Sequence, residues 1–274
     1  MDRLLRVGAV MYDPKVSVIW EIIRDFFDSR NVPIDVSFYR TYHLQVSALL
    51  DGSIDIAWNS PLAWPDAQRR SGGACRAIAM RDTDRDRMSY LVTRRGEAVR
   101  TVPDLRNRTV AVGALDSPQA TLIPLGRLRQ DGLDPACDLT IRRFDVLVGM
   151  HGDHVGSELE AFRCLARGEA AACAMLDLNW DTWTRDGTID PGQFTVMAAT
   201  QRFDHCVFTV RPDLDAQRER HWLEALFAMR YDEPSHREMM DLEGLKAWLP
   251  GRTSGFDALS AAVAEERFFE QSQA

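Results

Sequence analysis

The stretch IDIAWNSPLAW, residues 54–64, joins a predicted strand to a predicted helix. It begins as an apolar strand, predicted over 54–58, and breaks at Asn59-Ser60-Pro61. Serine suits the N-cap of a helix and proline suits its first position, so a new helix is expected to start here. The end of a buried strand and the start of a helix therefore meet at one point. Because ligands of open α/β sheets bind outside the carboxyl ends of the strands, this turn is a candidate binding point.

Strand-like and helix-like segments alternate on both sides of this stretch. The first set predicts strands at 4–11 and 32–39 and helices at 15–29 and 42–50. This order implies right-handed crossovers and a mostly parallel sheet, which is an α/β fold. A second set with the same order follows the strand at 89–94. Its predicted strands are 109–114, 139–144 and 170–176, and its helices are 118–131 and 158–167.

The two sets predict two lobes. Residues 1–94 form the first lobe, 95–195 form the second, and 196–274 return to the first lobe and end in helices. The return is predicted to contain strands at 194–200 and 206–211, and helices at 214–229, 237–248 and 256–269. The run of alternating charges at 82–87 is expected to be a solvated connection.

Composition excludes several classes of protein. With 274 residues, 45% of them hydrophobic and 27% charged, the chain has a globular composition. The net charge of -8 argues against nucleic acid as a partner. No apolar run reaches the roughly 20 residues of a membrane span, so no membrane insertion is expected. The five cysteines show no metal-type or disulfide spacing. Without a signal-peptide pattern the sequence as written predicts a cytoplasmic protein, and a periplasmic one if a leader has been removed.

A second turn repeats the chemistry of the first. Asp116-Ser117-Pro118 follows the predicted strand at 109–114, again with serine and proline at a helix start. Each such terminus presents free backbone N–H groups and the positive end of a helix dipole, which suits an anion. Two interpretations stay open. The serines either only cap their helices, or each lobe contributes one serine turn to the binding of a single ligand.

The order of short motifs resembles a known family. These motifs are Thr41-Tyr42, Ala48-Leu49, Gly52, residues 54–58, Ser60-Pro61, residues 90–94, residues 103–111, Ser117, Gly152-Asp153-His154, Ala161, Gly168-Glu169 and Trp180 or Trp183. Together they look like the phosphonate/phosphate-type solute-binding proteins of ABC importers. The resemblance covers residues 4–215.

The resemblance implies a fold and a function. The fold is the type 2 periplasmic-binding-protein fold: two Rossmann-like α/β lobes with mixed sheets, joined by two crossovers, with the ligand cleft between them. The function is binding of a small polar, anionic or zwitterionic, phosphonate-like molecule by lobe closure. The implied partners are this ligand and an ABC transporter permease. This interpretation requires no cofactor, and whether the protein is an enzyme stays open.

Eleven residues are candidate ligand contacts under this interpretation. They are Tyr12, Tyr42, Trp58, Asn59, Ser60, Asp116, Ser117, Gln119, His154, Asp177 and His205. The aromatic members either contact the ligand or pack in the hydrophobic core. Asp116 departs from the family, whose phosphonate binders usually carry a hydroxyl-rich turn here. A carboxylate repels a dianion and favours an ammonium or hydroxyl donor, so weak binding of plain phosphate is expected.

Two clusters support an alternative function. The segments MHGDHVGSE (150–158) and FDHCVF (203–208) hold imidazole, carboxylate and thiol groups that suit a transition metal. His151, His154, Glu158 and His205 are the candidate metal ligands. The alternative is a cytosolic enzyme or metal-dependent protein on the same scaffold, using His151, His154, His205 and Cys206. Direct pairing of His205 with Cys206 is not expected, because neighbours on a strand point to opposite faces.

Overall fold

The structure is a computed structural model that describes residues 4–271. The chain forms two compact units. The first unit runs to Arg85 and continues over Asp204–Gly255, and the second covers Asp86–Phe203 and resumes at Phe256. In chain order the helices and strands are β1 (Leu5–Val10), α1 (Lys15–Ser29), β2 (Ile34–Tyr39), α2 (Tyr42–Leu50), β3 (Ile56–Asn59), α3 (Ala63–Ser71), β4 (Arg76–Arg81), β5 (Ser89–Arg94), β6 (Thr109–Val112), α4 (Ile123–Gln130), β7 (Thr140–Arg143), α5 (Gly156–Ala166), β8 (Ala172–Leu176), α6 (Asp177–Arg185), β9 (Phe194–Ala199), β10 (Val207–Val210), α7 (Ala216–Phe227), α8 (Pro234–Leu242), β11 (Trp248–Pro250), α9 (Asp257–Glu265) and α10 (Phe268–Gln271).

The first unit is built on a mixed sheet in the order β11-β4-β10-β3-β1-β2. β1 pairs in parallel with β2 and β3, whereas β10 runs antiparallel to β3 and β4. Apolar residues of α1 and α7 pack on this sheet, with Phe27 stacked on Trp222 at 5.4 Å between ring centroids. The predicted alternation of strands and helices is confirmed here, and it places the end of β3 in the middle of the sheet.

The second unit has its own mixed sheet in the order β7-β6-β8-β5-β9. β6 pairs in parallel with β7 and β8, and β5 runs antiparallel to β8 and β9. A π-helical turn over Pro118–Leu122 leads from β6 into α4. Separate apolar clusters cover the two faces of this sheet. Because β6 pairs with β7 on one side and β8 on the other, its end lies between these two strands.

The unit boundaries differ from the predicted ones. β5 and β9 both belong to the second unit, so the first part of the first unit ends at Arg85 rather than at residue 94. The chain after Phe256 also belongs to the second unit, because the buried face of α9 packs on α4. Gly126 of α4 faces Ala262 of α9 at this contact.

One predicted helix was wrong at its end. The pattern over 237–248 favoured a continuous helix, but α8 ends at Leu242 and Trp248–Pro250 forms the edge strand β11, antiparallel to β4. A three-residue edge strand ending in proline carries too little alternation to be recognised in sequence. Among the described residues, no helix is both long and apolar enough to span a bilayer.

Candidate ligand-binding site

In the first unit, Gln45 of α2 fixes the turn of residues 59–61. Gln45 Nε2 donates to Trp58 O at 2.8 Å and to Asn59 Oδ1 at 2.9 Å. The Ser60 hydroxyl accepts a hydrogen bond from Ala63 N at 3.1 Å. α3 begins at Ala63, two residues later than the sequence predicted, so Ser60 bridges a turn that precedes the helix. Asn59 and Ser60 are completely buried.

The aromatic candidates of the first unit differ in position. Trp58 lies in the core, 4.5 Å from Phe208 and 5.8 Å from Trp248 between ring centroids, with Arg81 over its face. Tyr42 is buried at the start of α2, and Tyr12 is half-buried after β1. The structure thus places Trp58 among packing residues and leaves Tyr12 as the more accessible ring.

In the second unit, Ser117 caps the turn after β6. Its hydroxyl accepts from Ala120 N at 3.2 Å, and Ser117 O accepts from the amides of Thr121 and Leu122. The second of these bonds closes the π-helical turn, a feature frequent at functional sites. Gln119 Nε2 donates to Gly152 O at 2.8 Å and to Glu158 Oε1 at 3.2 Å. The turn and its cap are buried.

Asp116 holds a loop over this turn. Its Oδ2 accepts from Gly149 N at 2.6 Å and from His151 N at 3.1 Å, so the carboxylate fixes the loop of residues 145–153. Burial raises the pKa of Asp116 above its usual range, and the two backbone hydrogen bonds oppose this shift only in part. The structure therefore supports a loop-holding role for one carboxylate oxygen of Asp116.

Four of the buried oxygens that have no hydrogen-bond partner in the described part of the chain belong to residues at the second turn or close to it. They are Asp116 Oδ1, Gln119 Oε1, Thr121 Oγ1 and Ser157 Oγ. The hydroxyls can donate or accept, whereas the carboxylate and amide oxygens accept. Buried polar atoms of this kind are rare in native proteins and need an explanation, which a polar ligand or ordered water supplies. Thr121 escaped sequence analysis because it is a single hydroxyl within an apolar run, and Ser157 because the segment 150–158 was considered only for its histidine and acidic side chains.

The remaining candidates have protein partners. Asp177 is buried at the start of α6, where Leu178 N donates to its Oδ1 and Arg87 lies 3.6 Å from its Oδ2. Burial raises the pKa of Asp177, and the charge of Arg87 opposes the shift. His154 Nδ1 accepts from Gly156 N at 3.1 Å.

The four predicted metal ligands do not assemble in the described residues. Glu158 is buried, where its Oε2 accepts from Leu176 N and Asn179 Nδ2. Within the second unit, the described His151, His154 and Glu158 form no group of potential ligands, and His205 belongs to the first unit. His205 Nδ1 instead lies 3.1 Å from Cys206 Sγ. This contact corrects the expectation that the two side chains diverge, because β10 begins only at Val207 and residues 205 and 206 lie outside it.

Comparisons with known proteins agree with this architecture. The sequence model of the family described as "ABC transporter, phosphonate, periplasmic substrate-binding protein" matches residues 13–256. The structure of PhnD1 from Prochlorococcus marinus in complex with methylphosphonate superposes with a TM-score of 0.72 at 15% identity, covering 96% of this chain and 98% of that one. A Xanthomonas citri protein bound to ATP gives a TM-score of 0.74 at 17% identity, with coverage of 96% and 98%. At such identities the likeness establishes the fold.

Two further relatives complete the comparison. The periplasmic aliphatic sulphonate binding protein SsuA from Escherichia coli gives a TM-score of 0.62 at 14% identity, covering 100% of this chain and 88% of that one. An uncharacterized protein from Haemophilus influenzae is 61% identical over 31 residues, which is 11% of this chain and 44% of that protein. The chain thus matches less than half the length of this curated relative.

The family match decides between the two functions that the sequence left open. It covers most of the chain and describes a substrate-binding protein, so the enzyme alternative is not favoured. The family is described as periplasmic, which agrees with the periplasmic alternative and gives no support to a cytoplasmic location. With its two α/β units and its match over residues 13–256, this chain belongs to the family of phosphonate-type periplasmic substrate-binding proteins of ABC transporters.

Proposed function

We propose that the chain binds a small organic phosphonate, or a similar tetrahedral anion, that also carries a hydrogen-bond donor such as an amino group. The observation that carries this proposal is the set of buried, unpartnered oxygens around Ser117. The hydroxyls of Thr121 and Ser157 can donate to an anionic oxygen, whereas Asp116 Oδ1 can accept from an ammonium. The helix that begins at Pro118 adds the positive end of its dipole.

The proposed ligand agrees with what is bound by relatives. PhnD1 from Prochlorococcus marinus was solved with methylphosphonate, and SsuA from Escherichia coli binds aliphatic sulphonates, both of which are small tetrahedral anions. We further propose that the protein works in the periplasm and delivers its ligand to an ABC transporter permease, as its family description implies. That Ser60 and Ser117 contact one ligand stays a prediction.

Calorimetry on matched serine variants tests the site. Ser117→Ala should weaken phosphonate binding by roughly tenfold or more, since a hydrogen bond to a charged group contributes about 1.5–3 kcal/mol. Ser71→Ala is the control, because Ser71 Oγ accepts from Ala74 N at 3.2 Å with the same spacing as the Ser117 bond to Ala120. Equal affinities of the two variants would contradict the assignment to the second turn.

A pair of ligands tests the role of the Asp116 charge. Aminomethylphosphonate and methylphosphonate differ by an amino group, and the unmodified protein should bind the amino compound more tightly. Asp116→Asn should lessen this preference and strengthen binding of phosphate, because a carboxylate near a ligand anion repels it by about 1–4 kcal/mol per unit charge. Micromolar phosphate binding by the unmodified protein would show that Asp116 only holds its loop.

A further inference from the structure

A cluster of three different metal-binding side chains lies in the first unit. Two of them, His205 and Cys206, come directly before Val207, which pairs with Asn59 at the first serine turn. The potential ligand atoms of Asp84, His205 and Cys206 all lie within 4.8 Å of one another, and all three residues are buried. His205 Nδ1 is 3.1 Å from Cys206 Sγ and 3.5 Å from Asp84 Oδ1. Asp84 belongs to the charged run that was expected to be a solvated connection, and its burial corrects that expectation.

The backbone holds these side chains in place. His205 N donates to Asp84 O at 2.7 Å, which joins the two segments directly. The preceding residue, Asp204, is also fixed. Arg252 donates to its two carboxylate oxygens at 2.5 and 2.6 Å, and its backbone N–H donates a hydrogen bond to Gly255 O. A metal site gains affinity from ligands that are already positioned, because less freedom is lost on binding.

Charge around the cluster favours a divalent cation. Arg81 donates to both oxygens of Asp84, at 2.7 and 2.9 Å, and to Glu243 Oε2 at 2.7 Å. The carboxylates of Asp84 and Glu243 exceed the single guanidinium by one negative charge, and a metal ion that displaces the thiol proton of Cys206 adds a second. A divalent ion would neutralise this group, and buried charges are normally paired or bound to metals.

We propose that Asp84 Oδ1, His205 Nδ1 and Cys206 Sγ form a binding site for a divalent transition metal of the zinc type. Zinc bonds of about 2.0–2.3 Å in a tetrahedron separate neighbouring ligand atoms by roughly 3.2–3.6 Å, close to the two separations seen here. Nitrogen and sulfur ligands select such metals over magnesium or calcium. A carboxylate oxygen has more than one lone pair, so Asp84 can keep its bonds to Arg81.

Metal titration of the full chain tests this site. Chelator-treated protein is titrated with Zn²⁺ and, separately, with Co²⁺, whose bond to a thiolate gives a charge-transfer absorption. We expect one equivalent of each metal and a thiolate band. Cys206→Ser should abolish the band and weaken zinc binding at least about tenfold. Cys75→Ser, a buried thiol of the same unit near Ser71, should leave both unchanged.

Two results would overturn the site. One is the absence of saturable zinc binding by the folded, unmodified protein at micromolar metal. The other is an unchanged cobalt spectrum in the Cys206 variant. Circular dichroism checks that each variant folds, and His205→Gln replaces Cys206→Ser in the zinc titration if the latter is unfolded. Phosphonate affinity is measured in parallel, so failure of the metal site is distinguished from failure of the proposed function.

Discussion

At the scale of single residues, Asp116 determines the conformation of the loop over the second turn. Leu147 and His151 in this loop adopt left-handed backbone conformations, with φ of 55° and 52°, which non-glycine residues rarely do. Asp116 accepts from the amides of Gly149 and His151 and thereby holds this conformation. The carboxylate therefore contributes to stability as well as to any ligand preference.

Removal of this acceptor should destabilise the protein. Asp116→Ala leaves two backbone N–H groups without their acceptor, which should lower the free energy of unfolding by about 1–3 kcal/mol. Asp116→Asn keeps an acceptor oxygen and serves as the control, with a smaller loss expected. Urea denaturation measures both. An alanine variant as stable as the unmodified protein would show that the loop does not depend on Asp116.

The raised pKa of Asp116 predicts a specific dependence on pH. The folded-state pKa lies above the unfolded value of about 3.9, so the native chain binds an extra proton between the two values. Stability contributed by this group is fully present below the unfolded pKa and is lost as pH rises through the folded pKa. Acidification from neutral pH should therefore stabilise the unmodified protein relative to Asp116→Asn. A stability difference that does not vary with pH would contradict the shift.

The cluster at Asp84 shows the limit of sequence at this scale. Asp84 lies in a run of alternating charges, which suggests a solvated segment. The structure buries it because Arg81, three residues earlier, forms a two-pronged ion pair with it. Burial alone would raise the pKa of Asp84, but Arg81 and His205 hold it well below its usual range. Only the fold shows which partner each charge of such a run has.

At the scale of secondary structure, the two units repeat one order of elements. β1-α1-β2-α2-β3 in the first corresponds to β6-α4-β7-α5-β8 in the second, since β1 and β6 each lie between the other two parallel strands of their set. The turn after β6 thus corresponds to the turn after β1, at Tyr12. The Ser60 turn follows β3, whose counterpart is β8. The two serine-proline turns therefore lie at different positions of the repeat.

Periodicity predicted the elements well where the pattern was long. The bounds of α1 and α2 were predicted correctly, since each has a continuous apolar face and a clear stop. The similarity of the two Ser-Pro sequences, in contrast, did not indicate equivalent positions. A capping sequence indicates only where a helix starts. Strand order depends on pairings between distant segments, so two similar caps can follow strands in different positions of their sheets.

Gly152 should be essential for the approach of the loop to the second turn. A Cβ at this position would lie 2.4 Å from Ser117 Oγ, and the backbone has φ of 77°. At Gly187, where φ is 83°, a Cβ would meet no atom of the described residues within 4 Å, so Gly187→Ala carries the backbone strain without the clash. Gly152→Ala should cost about 1–3 kcal/mol more than this control, and should also weaken ligand binding.

Thermal unfolding and calorimetry of the two alanine variants measure this difference. The same loss of stability in both would mean that the loop tolerates a side chain beside Ser117. Unchanged phosphonate affinity in a Gly152→Ala variant of lowered stability would separate the loop from the ligand site.

At the scale of the whole molecule, the chain passes between its units three times within residues 4–271. The passages lie at Arg85–Asp86, Phe203–Asp204 and Gly255–Phe256, of which the last was not expected from sequence. The resemblance to a solute-binding family covered residues 4–215, whereas the family match extends to residue 256. α9 then adds to the second unit through Leu259, Ala262 and Val263, its buried face.

Titration of the unmodified protein with small anions tests the central claim, that this chain is a phosphonate-type binding protein. The protein is unfolded, dialysed and refolded to remove any retained ligand, and is then titrated in a calorimeter with methylphosphonate, aminomethylphosphonate, an alkanesulfonate and phosphate. We predict saturable one-to-one binding of a phosphonate with a dissociation constant in the micromolar range or below, about -8 kcal/mol, and binding of phosphate no tighter than millimolar, about -4 kcal/mol. A folded protein that binds none of the phosphonates or the sulfonate would contradict the account.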